Sequence, residues 1–123
     1  MLALGIDPGT AICGYGIVDY SDGKLTAKNY GAITTSPQAR MQDRLLKIYM
    51  ELDIIVKKFQ PEVMGVEKLF FGKNSTTAIP VGQARGIILL CAAQCLIPPA
   101  PAPICLPNTS AKTASQWPLL LRK

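Results

Sequence analysis

The chain has no histidine, no acidic residue after Glu67 and no long hydrophobic run. Its four cysteines, at 13, 91, 95 and 105, lack the paired spacing of a zinc site, and without histidine a metal held there would need all four thiolates. Cys91 and Cys95 stand four apart in an apolar helical stretch and read as small buried residues with no assigned function. The longest apolar stretch, residues 87–97, is short and contains Gln94, which excludes a membrane span within it. Asp7 interrupts the one candidate for a signal-peptide core, so a cytoplasmic protein is expected.

The missing acids also divide the chain. Residues 1–67 carry seven basic side chains against all eight acids, whereas residues 68–123 carry six basic side chains and none. A one-sided excess of Lys and Arg suits contact with a polyanion through counterion release, although a solvated basic face has the same composition. The 123 residues suffice for one domain.

Residues 2–7 read as a buried strand ending in Asp7, Pro8-Gly9 as a turn, and residues 14–20 as a second strand. Ser21-Asp22-Gly23 closes a hairpin onto a third strand over residues 25–34, which makes an antiparallel meander. Ser36-Pro37 predicts a helix start, and Met41, Leu45, Ile48, Leu52, Ile55 and Phe59 form an apolar stripe along a helix running to residue 59. Residues 62–67 read as a fourth strand, reached through that helix and so expected to lie parallel to the first. A second helix is expected from residues 75–77 to residue 96, with Pro80 in its first turn. Beyond it lies a proline-rich, acid-free, irregular tail over residues 98–123, which leaves residues 1–97 as the folded domain.

Two of these strands end in a carboxylate. If they are adjacent and parallel, Asp7 and Glu67 meet at their carboxyl ends, where open α/β sheets place their chemistry. Two carboxylates about 4 Å apart repel by about 4 kcal/mol at an effective dielectric of 20, so the pair calls for a proton or a cation. Hard oxygen ligands select Mg²⁺ or Mn²⁺. The alternatives are two unrelated strand ends, or a phosphate loop Asp7-Pro8-Gly9-Thr10 of an actin-like ATP-binding protein, whose two-domain architecture is hard to fit into this length.

The segments GIDPGTAICGYGIVD, VEKLFFGKN and GQARG, in this order, resemble the crossover junction endodeoxyribonuclease family, the RuvC-type Holliday junction resolvases, over residues 1–97. The resemblance implies an α/β, RNase H-like fold: a three-stranded antiparallel meander extended by a parallel strand, with helices packed on the sheet. It implies a Mg²⁺-dependent homodimer that nicks paired strands of four-way junction DNA in recombination and repair and works with a junction-migrating helicase complex. Asp7 and Glu67 match catalytic metal ligands, Phe70 a wedge residue at the junction centre, and Lys73 and Asn74 contacts to phosphate or bases. Gln83 and Arg85 fall on the following helix as further DNA contacts, with a packing role for Arg85 as the alternative. Gly82 and Gly86 suggest that this helix packs closely, and in the family it contributes to the dimer interface.

The family has two further acidic ligands on a C-terminal helix, and this sequence has no counterpart to them. The expectation is a fold incomplete at its C-terminus and impaired cleavage, with a truncated or frameshifted gene product as the source of the tail. A junction-binding fragment without nuclease activity is the alternative.

Overall fold

In a computed structural model of the protein, residues 1–69 and 76–98 are described. Strands β1 (Leu2–Asp7), β2 (Ile12–Ser21) and β3 (Lys24–Thr34) form the antiparallel meander. Helix α1 (Met41–Phe59) then crosses to β4 (Val63–Val66), which pairs with β1 in parallel, and helix α2 (Ala78–Gln94) follows. The sheet order is β3-β2-β1-β4.

The β2–β3 turn has Asp22 at φ 53° and Gly23 at φ 71°, the two left-handed positions that a tight hairpin with the right-handed twist of its strands requires. Within β3, Lys28 is the extra residue where the register shifts, since Ile17 pairs with Asn29 and Val18 with Ala27.

One face of the sheet packs against both helices. Leu4, Ile6, Cys13, Ile17, Ile33 and Met64 from the strands meet Ile48, Leu52 and Val56 of α1 and Ala84, Ile88 and Cys91 of α2. Five of the six stripe residues expected on α1 (Leu45, Ile48, Leu52, Ile55 and Phe59) do face this core, with Val56 buried beside them. Helix α2 is different: Ile79, Leu89 and Leu90 are exposed on the side away from Ala84 and Ile88, so it is apolar nearly all round.

Several expected element boundaries shift: β2 starts at Ile12 rather than residue 14, and α2 at Ala78. The first helix does not start at Ser36-Pro37. Ser36 Oγ instead accepts from the Gln38 amide at 3.3 Å in a local turn, and α1 begins after Arg40. Strand β4 stops at Val66, which leaves Glu67 one residue past its end. Helix α2 ends at Gln94 rather than residue 96, with Leu96 at φ 55°. Pro80 does lie in the first turn of α2, where its missing N–H costs nothing. Pro98 accepts a hydrogen bond from the Met64 amide at 3.2 Å. The expected tail lies, from residue 99 on, outside the described residues.

Candidate metal and nucleic-acid site

Asp7 and Glu67 are brought together by the register of two strands. Glu62 and Leu2 bind each other at the start of the pair: the Glu62 amide donates to the Leu2 carbonyl at 2.7 Å, and the Leu2 amide donates to Glu62 Oε2 at 2.7 Å. Ala3, Leu4, Gly5 and Ile6 then pair in step with Val63, Met64, Gly65 and Val66. At the far end the Glu67 amide donates to the Ile6 carbonyl at 2.9 Å. The next residue of β1 is Asp7, so the two acids end adjacent strands side by side. Because side chains alternate along a strand, Leu4, Ile6 and Met64 enter the helix-side core while Asp7 is directed to the opposite face.

The loop after Asp7 is held by its neighbours. Gly9 lies so close to Ile12 that a Cβ would overlap the Ile12 carbonyl oxygen, which restricts this position to glycine. The Ala11 carbonyl accepts from the Thr35 amide at 3.0 Å, and the Thr35 hydroxyl donates to the Thr10 carbonyl. Arg44 of α1 donates to that hydroxyl at 2.8 Å, and Lys47 donates to the Thr34 carbonyl at 2.7 Å. The Asp7 end of β1 is thereby tied to β3 and α1.

Electrostatics agree with the placement. Glu67 is half-buried, and its carboxyl is raised from 4.5 to about 7. Loss of hydration contributes most, followed by a hydrogen bond shared with Asp7 and by the charge of Asp7. Below neutral pH Glu67 therefore keeps a proton in the place a cation would take. Two carboxylates that resist joint ionisation form a hard-oxygen donor set suited to Mg²⁺ or Mn²⁺.

The other expected contacts fall in two groups. Phe70, Lys73 and Asn74 lie outside the described residues. Gln83 is exposed on α2. Arg85 is half-buried, and its Nε is shielded from solvent without a hydrogen-bond partner among the described residues. Among the described residues, nothing lies within 4 Å of a Cβ built on Gly82 or Gly86, so the close packing expected of this helix is not made with them. Local sequence could not reveal the clamp between Glu62 and Leu2, since its signal is a pairing across 60 positions.

Among the described residues, no helix is long and apolar enough to cross a membrane. Residues 3–100 match the family model described as crossover junction endodeoxyribonuclease RuvC. A protein of that name from Desulfitobacterium hafniense is 50% identical over 98 residues, covering 80% of this chain and 59% of the relative. Another from Fusobacterium nucleatum is 50% identical over 94 residues, covering 76% of this chain and 50% of the relative. The chain thus spans little more than half the length of these relatives. Among solved structures, T. thermophilus RuvC in complex with a Holliday junction substrate superposes with a TM-score of 0.75 at 30% identity, over 80% of this chain and 63% of that one. The yeast mitochondrial Holliday junction resolvase Ydc2 aligns with a TM-score of 0.58 at 17% identity, over 79% of this chain and 48% of that one, and shares the fold. The expected mixed sheet with RNase H-like topology is therefore present, and the chain belongs to the crossover junction endodeoxyribonuclease RuvC family.

Proposed function

We propose that this chain carries the first half of the catalytic centre of a structure-selective endonuclease that resolves Holliday junctions. The observation that carries the reading is the parallel pairing of β1 with β4, which sets Asp7 beside Glu67 and raises the proton affinity of Glu67. Both carboxylates, once ionised, would hold Mg²⁺, or Mn²⁺ in its place. Bound there, the ion would supply an activated water and neutralise charge on the phosphodiester being cut. The chain's own part is to fix two oxygen donors on rigid strand ends. The acid-free stretch from residue 68 on, which contains Lys73 and Arg85, leaves phosphates unopposed.

Phe70 would stack on a base at the junction centre, with Lys73, Asn74, Gln83 and Arg85 contacting the strands around it. Aromatic stacking of this kind is worth about 1–3 kcal/mol per base. A second copy of the chain is the fitting partner for α2, whose exposed Ile79, Gly82, Gly86, Leu89 and Leu90 offer an apolar strip with room for another helix. A junction-migrating helicase complex is the expected further partner.

Residues 68–123 add no acid, so the two carboxylates are all that this sequence contributes to the metal. Junction binding with impaired cutting is the expected behaviour. Incubation of the purified chain with labelled four-way junction and Mg²⁺ tests this: preferential binding of the junction over linear duplex supports the reading. Any symmetric nicking should vanish in Asp7→Asn with affinity retained. Equal affinity for duplex and junction, or nicking that survives Asp7→Asn, would overturn it.

A further inference from the structure

A second cluster of ligating side chains lies between the two helices, built from none of the residues of the carboxylate pair. Cys91 of α2, Cys95 just past its C-terminal end and Asp53 of α1 place their two sulfurs and a carboxylate oxygen all within 4.8 Å of one another. The Cys95 amide donates to the Cys91 carbonyl at 3.0 Å, a helical turn that stacks the two thiols on one side of α2. Asp53 meets them from the facing helix, with its Oδ1 accepting from Cys95 Sγ at 3.8 Å.

We infer that Asp53, Cys91 and Cys95 form a binding site for a single thiophilic divalent cation of the Zn²⁺ class, joining the last turn of α2 to α1. Two thiolates and one carboxylate oxygen are three ligands of a tetrahedral centre, with water as the fourth. Sulfur donors separate this site from the hard-oxygen pair at Asp7 and Glu67, so one chain carries two sites of different metal preference.

The surroundings suit the assignment. The two Asp53 oxygens have separate duties: Oδ1 faces the thiols, while Oδ2 accepts from Lys57 Nζ at 2.6 Å. A carboxylate oriented through its second oxygen is a common support for a ligand. Next to it the Tyr49 hydroxyl donates to Gln94 Oε1, a second tie between α1 and the end of α2. Cys91 is fully buried, whereas Cys95 and Asp53 are half-buried and open the way to solvent. Binding releases both thiol protons. Burial pushes the Cys91 thiol up to about 12, so the metal must displace a firmly held proton.

This changes the reading of the cysteines. Their four-residue spacing carried no ligand signal because the third ligand comes from a residue 38 positions before Cys91, in a different helix.

Titration of the reduced, metal-free chain with Co²⁺ tests the inference, since a thiolate-to-cobalt charge-transfer band cannot arise at a carboxylate pair. A band saturating at one equivalent, bleached by Zn²⁺, is expected. Cys95→Ser and Asp53→Asn should each weaken binding by about 10-fold or more, as loss of a direct ligand exceeds the loss seen for supporting groups. Cys13→Ser should leave the titration unchanged. Because Cys91 is fully buried and its replacement could unfold the chain, the two half-buried positions carry the test, with far-ultraviolet circular dichroism confirming that each variant is folded. Absence of the band in reduced protein overturns the proposal, as does a band that persists undiminished in folded Cys95→Ser or Asp53→Asn. Mass spectrometry showing a Cys91–Cys95 disulfide that reforms in the presence of Zn²⁺ would also overturn it, by assigning the pair to thiol oxidation.

Discussion

Asp7→Asn removes one charge from the carboxylate pair with almost no change of volume, and its effect on Glu67 follows from the causes of the raised proton affinity. The move from 4.5 to about 7 corresponds to about 3 kcal/mol of added cost for ionising Glu67 in the fold. Partial exposure screens that charge, so about 1–2 kcal/mol should appear in stability. Between 4.5 and about 7 the folded chain keeps a proton that the unfolded chain has released. Stability therefore falls as pH rises through this window and levels off above it. The largest cause, burial, survives the substitution, while the charge of Asp7 does not. The Glu67 midpoint should thus fall below about 7 yet stay above the ordinary 4.5. Carbon-detected NMR of the Glu67 carboxyl gives the midpoint, and urea unfolding on either side of the window gives the energy. A wild-type midpoint near 4.5, or one left at about 7 in the variant, would refute the reasoning.

Three further substitutions probe what holds the pair in place. Gly9→Ala forces a Cβ onto the Ile12 carbonyl and should cost about 1–3 kcal/mol in urea unfolding, with the Thr35 amide losing exchange protection. Glu62→Ala removes the acceptor of the Leu2 amide, should cost about 0.5–1.5 kcal/mol, and should speed hydrogen exchange at Leu2 more than at Glu67. Leu52→Ala empties a fully buried site between the helices and the sheet, and a loss of about 2–5 kcal/mol by thermal or urea unfolding is expected.

The strands and the α1 stripe were legible because their signals are local: alternation over six residues, a Ser-Asp-Gly turn, apolar positions three and four apart. Asp7 and Glu67 could be paired from sequence because each ends an apolar strand and a single helix separates those strands, which makes parallel neighbours the simplest connection. The start of α1 was misread because Ser36-Pro37 has the composition of a helix cap, yet the Ser36 hydroxyl engages Gln38 in a turn of its own. The open surroundings of Gly82 and Gly86 among the described residues had no local signal either, since a glycine looks the same whether it meets a neighbour or a space for one. What local pattern could not convey was tertiary: Asp53 reaching the cysteines, Arg44 reaching Thr35, and Glu62 closing the register on Leu2.

The register also explains how the fold tolerates two repelling acids. Shifting β4 by one residue against β1 would separate Glu67 from Asp7, but it would also turn Met64 out of the core. Met64, Leu4 and Ile6 are essentially inaccessible to solvent, and full burial of such a side chain is worth about 1.5–3 kcal/mol. Loss of even one exceeds or matches the screened penalty of about 1–2 kcal/mol at Glu67. The backbone clamp between Glu62 and Leu2 would be lost in the same slip. Core packing on one face therefore outweighs charge repulsion on the other, and the two carboxylates stay paired. Substitutions that relieve the repulsion, Asp7→Asn first among them, should stabilise the chain above neutral pH while removing one ligand of the proposed metal site.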